Sequence, residues 1–158
     1  MLVVALAAVA VAAKPDPRQF LRVDAGRRTV SVTLVAGYDS SNNGFNFDGY
    51  GRGELTVTVP LHWRVRVTCR NAAAMRHSCA VVDGPMTAVP AFAHASSPQP
   101  VLGLRHGETA TFSFVATKLG PFRLACLVPG HEEARMWDVL EVVRRGAPSS
   151  AGTGPVSQ

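Results

Sequence analysis

The stretch WRVRVTCR at residues 63–70 decides the fold of this chain. Apolar side chains alternate strictly with arginine or threonine. The apolar positions are Trp63, Val65, Val67 and Cys69, and the positions between them are Arg64, Arg66, Thr68 and Arg70. Successive side chains of a strand point to opposite faces, so this period of two predicts a β-strand with one face in a core and the other in water.

Four further stretches repeat this period on both sides of it: TVSVTLV (29–35), ELTVTVP (54–60), TFSFVA (111–116) and FRLAC (122–126). The stretch WDVLEVV (137–143), with apolar residues on both faces, closes the series. Turn-forming stretches such as GYDSSNNGFNFDGYGRG (37–53) separate them, and no helical period runs beyond a turn or two. We expect an all-β chain folded as an antiparallel β-sandwich.

The chain divides into one folded domain and two flanking segments. Residues 1–13 are apolar and end in small residues, which predicts a signal peptide or an N-terminal anchor and therefore export. Residues 14–28 lead into the first strand, and residues 29–145 form the domain. Residues 83–108, rich in proline and glycine, are a long connection that holds a short helix or a bare loop. Residues 146–158, GAPSSAGTGPVSQ, are expected to be a disordered tail.

The composition excludes two classes of protein. Hydrophobic residues make up 47% of the chain and charged residues 17%, so the body is globular and not disordered. The formal net charge is +5, but the basic residues are scattered and no basic run is interleaved with aromatic residues. We therefore expect no nucleic-acid partner.

The stretch CLVPGHEEARMW (126–137) carries the chemistry. It places Cys126, His131 and Met136 in one loop, each separated from the next by four residues. A thiolate, an imidazole and a thioether are three of the four ligands of a blue (type 1) copper site. Structural zinc takes cysteine, histidine or carboxylate ligands, and methionine is a poor choice for it. The loop therefore predicts copper.

The fourth ligand must come from another part of the chain. His77 opens an apolar strand after a turn-like break, and Cys126 ends its own strand, so both are expected at one pole of the sandwich. The other candidates lie at strand entries or in loops and are interpreted as surface residues: His62, His94 and His106.

These stretches together resemble one known family. The segment NNGFNFDGYGRGELTVTVP (42–60), the pair His77–Ser78 and the loop 126–137 resemble the sulfocyanin group of small blue copper proteins, within the cupredoxins. The resemblance covers residues 29–143. It implies a Greek-key β-sandwich of about seven to eight strands. It also implies a single copper ion, carrying one electron at a time outside the cytoplasm, whose ligands are His77, Cys126, His131 and Met136.

The resemblance and the loop also raise particular expectations. Relatives usually carry glycine before the axial methionine, where this chain has Arg135, so a positive φ there would strain the backbone. Ser78 is expected to donate a hydrogen bond to the sulfur of Cys126. Cys69 and Cys79 are either two buried thiols or a disulfide, and Cys79 lies too far along its strand from His77 to be a ligand.

Two other functions stay open beside the carrier. One is copper delivery or storage, and the other is an electron-entry domain of a larger copper enzyme. A buried four-ligand site favours a carrier, and an enzyme would need a second copper site, for which the remaining histidines are too scattered. The carrier is expected to be a monomer that docks transiently near His131 with a redox protein of the cytochrome or terminal oxidase type.

Overall fold

Two β-sheets form the molecule, as seen in a computed structural model that describes residues 13–153. The first sheet has the strand order β1-β2-β4-β6, and the second has the order β5-β7-β8-β3-β9. The strands are β1 (Leu21–Asp24), β2 (Thr29–Ala36), β3 (Leu55–Pro60), β4 (Arg64–Asn71), β5 (Ala80–Val82), β6 (Thr109–Val115), β7 (Gly120–Ala125), β8 (Trp137–Val143) and β9 (Ser149–Gly152).

The helical content of the described residues is two short 3-10 turns, Pro17–Phe20 and Ser41–Gly44. None of the helices within residues 13–153 is long and apolar enough to cross a membrane. The signal peptide or anchor expected at residues 1–13 falls outside the described part of the chain, except for Ala13.

The core lies between the sheets and follows the alternation of the sequence. On β4, Val65 and Val67 are buried, whereas Arg64 and Arg66 are exposed. The inward side chains of both sheets, including Leu34 of β2, form one continuous cluster. Burying these apolar surfaces is the main force that holds the sheets together. The predicted β-sandwich is confirmed.

Two neighbouring pairs of strands run parallel, so the expectation of a purely antiparallel sandwich was wrong. β2 pairs with β4 in parallel, and β3 pairs with β8 in parallel. The reason is that the chain crosses to the second sheet to form β3 before it returns for β4. The intervening strand reverses the direction of the chain, so β2 and β4 meet pointing the same way.

The folded region is wider than the expected 29–145, and residues 13–153 contain nine strands, against the expected seven to eight. β1 pairs with β2 in what was expected to be the lead-in, and β9 pairs with β3 along residues 149–152. The expected disordered tail is therefore wrong for those four residues. Gly152 shows the reason, because a Cβ there would lie 2.4 Å from a ring carbon of Tyr50. The small residues allow this strand to pass directly under that ring.

The long connection after β5 contains no helix, so the bare-loop alternative is the correct one. It runs back along the edge of the second sheet and is fastened by isolated bridges at Val82–Pro90, Ala80–Ser96 and His77–Leu104. Phe92, in the middle of the connection, packs in the core against Phe114 and Phe122 with ring centroids 5.0 and 4.7 Å apart.

A disulfide resolves the alternatives that the sequence left open for Cys69 and Cys79. Their sulfur atoms are bonded, their Cα atoms lie 5.9 Å apart, and the bridge ties β4 to the segment that enters β5. Cys79 is thereby removed from the set of metal ligands. The bridge also fixes the backbone two residues after His77.

Asp48 is a buried carboxyl group with one oxygen unpaired. Its Oδ1 accepts a hydrogen bond of 2.8 Å from the N–H of Val35, but its Oδ2 has no partner among the described residues. Only 1% of the residue is exposed. Burial raises the pKa of Asp48 to about 8, because the charged form loses its hydration.

This carboxyl group predicts a pH dependence of stability. Folded Asp48 holds its proton up to about pH 8, whereas the unfolded chain releases it near pH 4. The free energy of unfolding should therefore fall across this interval by at most about 1.4 kcal/mol per pH unit on account of Asp48. Asp48→Asn, neutral at every pH, should lose that slope. Urea denaturation of variant and wild type at several pH values measures the difference.

The exposed Asp83→Asn is the matched control and should leave the slope of the wild type unchanged. Asp138, whose pKa burial also raises, keeps its own contribution in all three proteins. Parallel pH profiles for Asp48→Asn and the wild type would contradict this account of Asp48.

Candidate metal centre

Three of the four predicted ligands meet at one pole of the sandwich. The potential ligand atoms of His77, Cys126 and His131 all lie within 4.8 Å of one another. Cys126 Sγ is 3.3 Å from His131 Nδ1 and 3.8 Å from His77 Nδ1, and the two Nδ1 atoms are 3.1 Å apart. Atoms that share a metal at bond lengths of about 2.0–2.3 Å are separated by distances of this order.

The fold brings these residues together from two connections between strands, β4–β5 and β7–β8. His77 lies between β4 and β5 and is held by a bridge to Leu104, whose N–H donates to the carbonyl of His77 at 2.7 Å. Cys126 is the first residue after β7, and His131 lies in the loop between β7 and β8. The convergence of a strand connection and a loop at one pole was predicted from the sequence.

Burial prepares the three side chains for a metal. Both histidines are buried, which lowers the pKa of His77 to about 4, chiefly by desolvation and also by the neighbouring His131. Desolvation lowers the pKa of His131 as well. Both imidazoles are therefore neutral near pH 7 and keep a lone pair for a cation. Burial raises the pKa of the Cys126 thiol, so loading a metal there must release its proton.

Ser78 contacts the sulfur as the sequence predicted. Its N–H lies 3.3 Å from Cys126 Sγ, and its hydroxyl lies 3.7 Å from the same atom. The hydroxyl oxygen also accepts a hydrogen bond of 2.9 Å from the N–H of Leu127. Both Ser78 contacts stabilise negative charge on the sulfur, and the bond to Leu127 fixes the start of the ligand loop.

Met136, the fourth predicted ligand, is fully buried and directly precedes β8. Its N–H donates to the carbonyl of His131 at 2.9 Å, and its carbonyl accepts from the N–H of Cys126 at 3.2 Å. The backbone of Met136 is thus hydrogen-bonded to both other ligands of this loop, Cys126 and His131. The side chain is buried in the core cluster that also includes Cys126.

Three residues that support the site were not identified from the sequence. The ring of Phe45 packs edge-on against His131, with centroids 5.0 Å apart. Asn42 donates from its amide to the carbonyl of Ala134 at 2.9 Å. Glu132 accepts from Arg123 at 2.6 Å and from the N–H of Met86 at 2.9 Å. Phe45 and Asn42 lie in the glycine-aromatic stretch 37–53. That pattern predicted turns, but it could not predict which distant residues these side chains contact.

The other histidines lie apart from this cluster. All three are exposed, and the ring of His106 contacts the carbonyl of Ala73. His62 and His94 have φ angles of 65° and 62°, which places both in tight turns.

Comparisons with known proteins agree with the geometry. The sequence model of the Sulfocyanin (SoxE) domain matches residues 17–147. A curated relative, Sulfocyanin of Sulfolobus acidocaldarius, is 26% identical over 126 residues, which are 72% of this chain and 63% of that protein. This chain therefore spans somewhat less than two thirds of the length of that relative.

Solved structures share the fold. Auracyanin A of Chloroflexus aurantiacus, described as a blue copper protein, superposes with a TM-score of 0.54 at 21% identity, over 73% of this chain and 99% of that one. The reduced auracyanin of Roseiflexus castenholzii gives 0.53 at 20% identity, over 72% of this chain and 96% of that one. The expected cupredoxin-like Greek-key sandwich is confirmed.

Arg135 has the positive φ that the sequence raised as a question. Its φ is 63°, its side chain is exposed, and its carbonyl accepts from the N–H of Arg52 at 2.9 Å. A residue with a Cβ in this conformation costs about 1–2 kcal/mol, and glycine avoids that cost. The loop therefore carries backbone strain one residue before Met136.

Arg135→Gly is predicted to raise the free energy of unfolding by about 0.5–1 kcal/mol, since the relief of strain exceeds the extra entropy of glycine in the unfolded chain. Chemical denaturation of the copper-free protein measures this. The control is Arg145→Gly, at an exposed position without a positive φ, which should be neutral or destabilising. Equal losses in both variants would show that Arg135 is unstrained.

Proposed function

The chain belongs to the sulfocyanin (SoxE) domain family, and on this premise we propose that it is a one-electron carrier with a single type 1 copper ion. The observation that carries the proposal is the buried cluster of one cysteine sulfur and two neutral imidazoles within 4.8 Å. Copper supplies the one-electron chemistry by alternating between Cu(I) and Cu(II).

The protein residues hold one arrangement for both oxidation states. Soft sulfur suits the reduced ion and imidazole nitrogen suits the oxidised one, so His77, Cys126 and His131 serve both. The backbone of Cys126 is fixed at the end of β7. The backbones of His77 and His131 are held by hydrogen bonds from the N–H groups of Leu104 and Met136. These restraints limit rearrangement on electron transfer. The two hydrogen bonds from Ser78 withdraw charge from the sulfur and favour the reduced state.

Met136 is proposed as the weak axial ligand. Full burial and the two backbone bonds that join Met136 to His131 and Cys126 support this role. The proposed ligand set is therefore His77, Cys126, His131 and Met136.

Retention of copper distinguishes a carrier from a delivery protein. His77 and Cys126 are 0% exposed and His131 is 9% exposed, so a receiving protein or chelator cannot reach the ligands without opening the loop. Delivery sites exchange metal through accessible ligands. The same burial disfavours a catalytic role, because a substrate would have no open position on the metal.

Export is proposed from two features. The disulfide between Cys69 and Cys79 needs an oxidising compartment, and the apolar residues 1–13 match a signal peptide or anchor. We place the domain in the periplasm or at the outer face of the cytoplasmic membrane, as a monomer. The remainder of the expected tail, residues 154–158, lies outside the described residues.

The partner is proposed to dock at the pole beside His131. Val128 packs toward Gly103 and borders the site, while Pro129 and the adjoining residues Val101 and Leu102 are exposed. A small apolar patch of this kind suits brief encounters. Charged residues of both signs border it, namely Arg76, Arg105, Glu133 and Arg135. A redox protein of the cytochrome or terminal oxidase type, with a small apolar contact of its own, fits this surface.

Cys126→Ser tests the metal assignment. The oxidised wild type loaded with copper should be intensely coloured, because a cysteine thiolate donates charge to Cu(II). The variant should lose this visible band even where it retains copper, which total metal analysis measures. Val23→Ser, at an exposed position on β1, is the control and should keep the band. A band that persists in Cys126→Ser would refute the site.

Met136→Leu tests the axial ligand. The variant should keep the colour and raise the reduction potential, since removal of a donor disfavours Cu(II). Voltammetry of both proteins measures the shift. Leucine preserves the buried volume, so a potential equal to that of the wild type would show that Met136 only packs the core.

Val128→Asp tests the docking surface. A charge at this position should slow electron exchange with a partner at least tenfold while the spectrum stays that of the wild type. Stopped-flow mixing with an electron-accepting cytochrome measures the rate. The control is Val23→Asp, at an exposed position on β1 far along the chain. Equal rates of electron exchange for Val128→Asp and the wild type would show that the partner docks at another surface.

A further inference from the structure

The outer face of the first sheet carries a set of arginines that the electron-transfer site does not use. In register across the four strands, Arg22, Ser31, Arg66 and Ser113 form one row. Arg64 lies between Thr29 and Val115 in the next row, and Arg70 lies between Val35 and Thr109 toward the other end. Side chains two apart on a strand are separated by about 7 Å, so the charges spread over a flat surface.

These arginines are free of counter-charges in the described part of the chain. Within residues 13–153, none of Arg22, Arg64, Arg66 and Arg70 takes part in an ion pair. The one acidic residue on the four strands is Asp24, which is paired with Arg27 at 3.3 Å. Other outward positions of the sheet carry mostly serine and threonine.

The outer face of the second sheet is different. Its strands present Arg123 and Glu141, and Arg123 is itself paired with Glu132 at 2.6 Å. Positive charge is therefore concentrated on one of the two faces of the sandwich. This asymmetry is not needed for solubility and indicates a partner of negative charge.

We infer that this arginine face lies against the anionic headgroups of a lipid bilayer. Protein interfaces have an apolar and aromatic centre, which this face lacks, whereas a lipid surface needs only a flat array of cations. The apolar residues 1–13 precede the fold. The chain enters it beside Tyr50, whose hydroxyl donates to the carbonyl of Pro15, and the turn Pro17–Phe20 then leads into β1, the edge strand of this same sheet. An anchor before this point would hold the domain at a membrane.

The orientation leaves the metal pole free. The strands would lie parallel to the bilayer, with Arg70 nearest the pole and Arg64 at the far end. Asn71, which follows Arg70, donates to the carbonyl of Leu104, and Leu104 is bridged to His77. The pole would then face sideways along the membrane, toward partners held in the same bilayer.

Vesicle binding of the full chain tests this inference. Co-sedimentation at low salt measures the partition coefficient of each protein on two kinds of vesicle, one with roughly one third phosphatidylglycerol and one of pure phosphatidylcholine. The quantity compared is the ratio of the first partition coefficient to the second. Because each arginine at an anionic surface contributes about a factor of five, the triple variant Arg64→Gln, Arg66→Gln, Arg70→Gln should lower this ratio about 100-fold. The apolar N-terminus is the same in every protein and cancels.

The control removes the same charge elsewhere, through Arg105→Gln, Arg144→Gln and Arg145→Gln at exposed positions. It should keep the ratio of the wild type within a few-fold. A wild type without preference for anionic vesicles would overturn the inference and leave an acidic protein as the partner of this face. Equal losses in the two triple variants would overturn it too, by showing that net charge alone acts.

A second measurement reports the orientation. A fluorophore on Thr111→Cys, on the arginine face, should be quenched by nitroxide-labelled headgroups more strongly than one on Glu141→Cys, on the opposite face. Cys126 is buried and Cys69 and Cys79 are bonded, so the introduced thiol is labelled selectively. Equal quenching at both positions would contradict the proposed orientation.

Discussion

The burial of one sulfur atom is the constraint on which the pole of this molecule depends. Cys126 is 0% exposed at the end of β7, where a thiolate is costly unless donors or a cation stabilise it. The N–H of Ser78 donates to the sulfur, and a cation held by His77 and His131 would supply the positive charge. Ser78 and His77 belong to the β4–β5 connection and His131 to the β7–β8 loop, so the sulfur can be stabilised only when both segments have been fixed.

Much of the surrounding structure serves this fixation. The disulfide restrains the chain two residues after His77, and the bridge to Leu104 holds His77 itself. On the other side, Glu132 ties the ligand loop to Met86 and Arg123, and Asn42 ties it to the glycine-rich segment. The strained Arg135 is compatible with this role, because a loop held by so many bonds can sustain a cost of about 1–2 kcal/mol. Rigidity of this kind is what a centre for electron transfer needs.

The sequence predicted the features that depend on local patterns. Alternation on β4 identified the strand and its buried face, and the spacing of Cys126, His131 and Met136 identified the loop. What it missed depends on contacts between distant segments. The pairing of β9 under Tyr50 follows from the absence of a Cβ at Gly152, which no periodicity reveals. The parallel pairing of β2 with β4 depends on where the intervening strand goes, and the contact of Phe45 with His131 depends on the path of a long turn.

The central claim is that this chain holds one set of ligands for both oxidation states of copper. X-ray absorption spectroscopy at the copper edge, on the oxidised and the reduced protein, tests it directly because it counts nitrogen and sulfur neighbours. The account predicts two nitrogen ligands and one strongly bound sulfur ligand in both states, with no change in their number. Loss of the sulfur ligand, or a gain or loss of a nitrogen ligand on reduction, would contradict it.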